Sequence, residues 1–286
     1  MKMYTGRRVV LYCAATFLVT VGALAVFRAT LWPRVHGRWF GSKQVHLLEP
    51  ETADLLRTKY EKIVAERNAQ ISPEEQKKLL KMWYGLRVHL NMYWLGVPVI
   101  KTPSDMWMMQ QVITEVRPDY IIEAGTSAGG SALYWAHVLE GLDLPDAKVI
   151  TIDIDDKLMD QASKRPLWQK RVEFIHGSST DPQIVSKIAE RVKGKRVIVI
   201  LDSDHSKNHV LKELKAYSPM VSPGSYIVVE DTSLDGVPLH PETGPGPMAA
   251  TLEFLSSESG AAFTPDITRE AFLVTFHPGG WLRRSK

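Results

Sequence analysis

The feature that most constrains this chain is a series of short apolar runs rich in Val and Ile, each closed by an acid or a glycine turn. They occupy residues 119–124 (DYIIEA), 148–153 (KVITID), 171–175 (RVEFI), 196–201 (RVIVIL) and 226–229 (YIVV). Runs of this length without polar alternation read as strands buried on both faces, and helical patterns at 131–140 and 207–217 separate them. A mostly parallel, doubly wound α/β sheet is the arrangement that covers both faces of such strands. Residues 271–276 (AFLVTF) are expected to add a last strand in a C-terminal hairpin.

Upstream the chain changes character. Residues 9–27 carry no charge and no proline, and Arg7, Arg8 and Arg28 bracket them. As a helix the run would reach about 28 Å, close to the hydrocarbon thickness of a bilayer. It is longer than the apolar core of a signal peptide, and no convincing cleavage site follows. The expectation is a transmembrane anchor over residues 1–28, with a cleaved signal or a soluble helix as alternatives. Charges flank both ends and leave the orientation open.

Residues 29–90 read as a juxtamembrane linker followed by two amphipathic helices. The first spans about 50–66, with Leu56, Tyr60 and Ile63 on one face. The second opens at Ser72-Pro73-Glu74-Glu75, where Ser72 and Glu75 make a capping box. Both are expected to pack on a domain spanning 91–286. A net charge of +3 is too small to point to nucleic acid. One cysteine, Cys13, excludes an intramolecular disulfide.

In an open α/β sheet ligands bind beyond the carboxyl ends of the strands. After the first strand comes Glu123-Ala124-Gly125-Thr126-Ser127-Ala128-Gly129-Gly130-Ser131. Gly125 allows a tight turn, Gly129 and Gly130 let backbone approach a ligand, and Ser131 opens a helix. The spacing differs from G-x-G-x-x-G and suits a nucleoside that carries a methionine ammonium; a purely structural turn is the alternative. Asp153, about 28 residues past Gly125, is placed to chelate ribose hydroxyls. Ser178 and Ser179 suit an adenine edge, although Ser179 or Asp181 equally suit a helix cap.

Two acidic strand ends follow, Asp202-Ser203-Asp204-His205-Ser206 and Glu230-Asp231-Thr232. Carboxylates of Asp202, Asp204, Glu230 and Asp231 converging on one rim would repel unless neutralised, and Mg²⁺ suits such a site. An ion there acidifies a substrate hydroxyl, with His205 as a candidate general base. Asp204 and Ser206 could instead cap the helix at 207–217. The Gly/Pro-rich stretch between Thr232 and Met248 reads as a substrate lid or as disorder.

Taken in order, IIEAGTSAGGSALYWA, VITIDID, FIHGSSTD, VIVILDSDHSKNHVLKEL, SPGSYIVVEDT, GPGPMAA and FLVTFHPGGWLRR resemble the cephalosporin hydroxylase/rhamnosyl O-methyltransferase family of class I S-adenosylmethionine-dependent methyltransferases. The resemblance implies a Rossmann-like, mostly parallel sheet with an antiparallel last strand. It implies S-adenosylmethionine at Glu123, Gly125 and Asp153, and Mg²⁺ on one acid of the Asp202/Asp204 pair with Glu230 and Asp231. A similar arrangement in metal-dependent catechol O-methyltransferases puts Asp202 ahead of Asp204. The expected function is Mg²⁺-assisted O-methylation of a sugar, glycolipid or other small acceptor. A hydroxylase-type tailoring enzyme and an inactive anchored scaffold are the alternatives. The expected partners are that acceptor and a membrane, without nucleic acid and with room for a homo-oligomer. Because this cofactor is made in the cytosol, a single-pass membrane protein with a cytosolic catalytic domain is expected.

Overall fold

The computed structural model describes residues 50–237 and 239–285. Apart from the first turn of the helix at Pro50, the described residues form one compact unit that begins at Ala53. It opens with helices α1 (Pro50–Gln70) and α2 (Pro73–Gly85), a small hairpin of β1 (Tyr93–Trp94) and β2 (Val97–Pro98), and α3 (Pro103–Val116). Alternation then sets in: β3 (Tyr120–Ala124), α4 (Gly130–Gly141), β4 (Lys148–Asp153), α5 (Asp160–Ser163), α6 (Pro166–Arg171), β5 (Val172–His176), α7 (Pro182–Arg191), β6 (Val197–Leu201), α8 (Lys207–Tyr217) and β7 (Tyr226–Val229). The chain finishes with α9 (Ser233–Gly236), α10 (Pro247–Leu255), β8 (Phe263–Pro265) and β9 (Trp281–Arg284).

Seven strands form one sheet in the order β5-β4-β3-β6-β7-β9-β8. The four pairings from β5 to β7 are parallel, and β9 runs antiparallel to both β7 and β8. Alternate side chains serve two cores, as a strand's period of two requires. Ile121, Val149, Ile198 and Val228 pack with α3 and α4 and with Tyr60 and Val64 of α1. Ile122, Ile150, Val199 and Ile227 pack against α7, α8 and α10 through Ile188, Val210, Leu214 and Phe254. The β-branched runs are thus buried on both faces, the condition for a parallel sheet.

Helix α1 is tied to the sheet domain by Tyr60, whose hydroxyl donates to Gln111, and by Arg67, which donates to the Glu270 carbonyl. Helix α2 has the expected capping box: the Ser72 hydroxyl accepts from Glu75 N–H and the Glu75 carboxylate accepts from Ser72 N–H. Ser72→Ala is expected to lower stability by about 1 kcal/mol, read from urea melts of wild type and variant.

Two expectations are corrected. Residues 271–276 are not a strand. Leu273 adopts a left-handed backbone at φ 72°, and the Phe276 N–H donates to the Asp105 carboxylate rather than to a neighbouring strand. The last hairpin is instead β8–β9. A transmembrane helix, and with it a single-pass membrane location, is not supported either. No helix among the described residues is long and apolar enough to cross a membrane, and the run at 9–27 lies outside the described residues.

Candidate active site

Strand order reverses between β3 and β6: β3 leads outward to β4 and β5, β6 to β7. Divergent connections open a crevice at such a point, beyond the carboxyl ends. The glycine turn after β3 fills its floor. Gly125 has φ +93°, and a Cβ there would fall 1.8 Å from the Asp202 carbonyl oxygen, so only glycine lets the turn lie on the end of β6. Gly130 is equally constrained, since its Cβ would lie 2.1 Å from the Pro98 carbonyl, and Gly129 is the left-handed N-cap of α4.

Asp153 ends β4 and faces the same turn. One carboxylate oxygen accepts from Thr126 N–H and Ser127 N–H, both at 2.9 Å, and the other accepts from Asp155 N–H at 3.0 Å. Above them opens a cavity of about 390 Å³ lined by Gly125, Ser127, Asp153, Ser178, Ser179 and Asp202. Of the expected nucleoside residues, Gly125, Asp153, Ser178 and Ser179 line this cavity, whereas Glu123, Thr126, Gly129, Gly130 and Ser131 do not. Glu123 is completely buried beneath the turn, where its carboxylate accepts from Trp135 Nε1 and Thr151 Oγ1 at 2.8 Å each. Burial pushes that carboxyl above the ordinary range. Ser131 and Thr126 line a smaller recess beside Lys101. Asp181, not Ser179, caps α7. The Ser179 hydroxyl turns inward to Glu213 and to His209 Nε2, 3.0 Å away.

The acids after β6 and β7 do not meet as a foursome. Asp202, His205 and Asp231 each offer one donor atom, and these atoms all lie within 4.8 Å of one another. His205 Nε2 is 3.3 Å from Asp231 Oδ2. Asp204 stands apart: hydrogen bonds from the Ser206 hydroxyl and then from Ser206 N–H, the latter at 2.7 Å, hold its pKa below the ordinary value. Glu230 faces inward, where Lys101 donates to its Oε2 at 2.6 Å and to Asp202 Oδ2 at 2.8 Å. Burial, and then the charge of Asp202, push the Glu230 carboxyl up to about 8. The same two causes raise Asp231. Burial opposes the charge of Lys101, but Asp202 and Glu230 outweigh it and hold the ammonium protonated.

Three further residues, none among the expected site residues, complete the arrangement. Lys101 enters from the segment before α3 and is 4% exposed. His277 Nδ1 accepts from Asp231 N–H at 3.0 Å, which places the imidazole proton on Nε2. That nitrogen lies 3.5 Å from Asp105 and 3.7 Å from Glu230. Despite burial, Asp105, Glu230 and Asp231 together raise the pKa of His277. On the outer side Tyr84 stacks on His89 at 4.8 Å and its hydroxyl lies 3.0 Å from His240 Nε2 in the Gly/Pro-rich loop.

The family model for rhamnosyl O-methyltransferase/CmcI matches residues 86–285. A rhamnosyl O-methyltransferase of Mycobacterium tuberculosis (strain ATCC 25618 / H37Rv) is 39% identical over 209 residues, covering 72% of this chain and 83% of that protein. The rhamnosyl O-methyltransferase of Mycobacterium leprae (strain TN) is 38% identical over 208 residues, covering 71% and 88%. A solved CmcI structure with Mg and SAM aligns at TM-score 0.52 and 19% identity over 69% of this chain and 78% of that one, a likeness of fold. Family match, relatives and a nucleoside-sized cavity at the sheet's switch point agree: the chain belongs to the rhamnosyl O-methyltransferase/CmcI family and is an S-adenosylmethionine-dependent O-methyltransferase.

Proposed function

We propose that this O-methyltransferase methylates a hydroxyl of a sugar acceptor, with Mg²⁺ held by Asp202, Asp231 and Glu230. The observation that carries this reading is the double position of Asp202. It lines the cavity that takes the methyl donor and also belongs to the donor group with His205 and Asp231. Methyl group and acceptor oxygen can therefore meet across one residue. The donor chemistry fits a hard ion, because the three residues that would hold it, Asp202, Asp231 and Glu230, are all carboxylates. It does not fit the two-histidine, one-carboxylate pattern of iron oxygenases. The relatives' own name, rhamnosyl O-methyltransferase, supports a sugar as the acceptor class.

S-adenosylmethionine supplies the methyl group, and a divalent ion supplies positive charge beside the acceptor oxygen. The chain's own residues do the rest. Gly125 and Ser127 with Asp153 and Ser178 wall the nucleoside cavity. His205 Nε2 takes the hydroxyl proton, and Asp231 at 3.3 Å stabilises the imidazolium that results. Positioning of the two reactants supplies much of the remaining rate.

Purified protein, S-adenosylmethionine labelled in its methyl group and methyl α-L-rhamnopyranoside test both parts. Labelled glycoside is expected, with the rate falling about 10²-fold or more in excess chelator and returning with Mg²⁺. Undiminished transfer in chelator would remove the ion, and failure with this and other glycosides would remove the sugar.

A further inference from the structure

Lys101 is the charge that the proposed chemistry leaves unexplained. It is 4% exposed, and its ammonium lies between Asp202 Oδ2 and Glu230 Oε2 at 2.8 and 2.6 Å. We propose that Lys101 is a built-in counter-cation of the metal centre, which neutralises Asp202 and Glu230 and gives them up when a divalent ion binds. This rests on the reading of Asp202, Glu230 and Asp231 as the ion's carboxylates.

The geometry points to exchange rather than coexistence. Glu230 is absent from the donor group of Asp202, His205 and Asp231, because it is drawn inward to the lysine. To reach an ion on that group it has to loosen its contact with Lys101. A lysine and a divalent ion sharing both carboxylates would also repel each other at short range, in a buried setting where screening is weak. The displaced ammonium has somewhere to go. Lys101 also lines a recess of about 30 Å³ with Thr126, Ser127 and Ser131, whose hydroxyls accept from an ammonium. Glu123 adds negative charge on the same side. Exchange spares the protein a buried Glu230 and a partly exposed Asp202 left uncompensated, a destabilising arrangement.

The test compares full-length wild type with Lys101→Met, using Mn²⁺ as the probe. Free Mn²⁺ is read by electron paramagnetic resonance, and thermal melts are run in chelator and in Mn²⁺. Lys101→Met is expected to bind Mn²⁺ about ten-fold or more tightly than wild type, since the competing charge is gone. Its Tm in chelator falls below wild type, and Mn²⁺ raises it by more than it raises wild type. Binding of S-adenosylhomocysteine reports that the fold is intact. Where Lys101→Met fails to fold in chelator and in Mn²⁺ alike, Lys101→Gln carries the same expectation, because it keeps the polar contacts without the charge. Mn²⁺ affinity equal to or weaker than wild type, in a variant that still binds S-adenosylhomocysteine, overturns the exchange alone. A wild type that binds no Mn²⁺ overturns the metal reading beneath it.

Discussion

Asp231→Asn is expected to lower kcat by about 10³-fold while S-adenosylhomocysteine binds with wild-type affinity. Asp231 has a left-handed backbone, φ 57°, a conformation that asparagine tolerates better than almost any other residue. Its N–H still donates to His277 Nδ1 in the variant, so the turn after β7 is preserved. What disappears is one negative charge at a place where burial and Asp202 already oppose it. That opposition gives the carboxylate its affinity for a cation, and the same oxygen faces His205 at 3.3 Å. On the proposed reading, the variant loses a ligand for the ion and the partner of the base together. Single-turnover transfer of a labelled methyl group, with calorimetry of S-adenosylhomocysteine alongside, checks both halves. A kcat within ten-fold of wild type would exclude Asp231 from the chemistry. Weakened nucleoside binding would instead place its role in the fold.

Much of this arrangement is legible in the residues themselves, and the limits have physical reasons. Strand ends are conspicuous because a β-branched run cannot continue through Asp153, Asp202 or Glu230 without burying a charge on both faces. Lys148–Asp153 and Tyr226–Val229 accordingly match the expected bounds. Which carboxylate faces which way is another matter. Asp202 and Asp204 look interchangeable as neighbours but one, but the chain turns between them and Asp204 closes a local loop onto Ser206 N–H. Lys101 lies 101 and 129 residues from its partners Asp202 and Glu230, in a segment with no periodicity. The available signal was its isolation, a lone charge in VPVIKTP just before the Thr102 cap of α3. His277 and Asp105 were hidden for a different reason. The apolar run at 271–276 looks like a strand, and it takes the left-handed Leu273 and the tertiary bond from Phe276 N–H to Asp105 to show that it is not.

The crowding at the switch point makes a second large effect predictable from one methyl group. Gly125→Ala places a Cβ 1.8 Å from the Asp202 carbonyl oxygen, well inside van der Waals contact, at a φ of +93° that L side chains rarely adopt. The backbone strain alone is worth roughly 1–3 kcal/mol. Relief of the clash requires β3 and β6 to part at their carboxyl ends, where Asp202 N–H donates to the Ala124 carbonyl at 2.8 Å. Because Asp202 serves both the cavity and the acid cluster, that one displacement disturbs two sites. The variant is expected to be destabilised by about 3 kcal/mol or more. Its affinity for S-adenosylhomocysteine should fall about 100-fold or more, and Mn²⁺ binding should weaken with it. Gly141→Ala is the matched control, since a Cβ there meets nothing within 4 Å. Urea melts and calorimetry on the two variants separate the outcomes. If Gly125→Ala kept nucleoside affinity while losing Mn²⁺, the glycine turn would not be the cavity's floor, and the coupling of the two sites through Asp202 would be wrong.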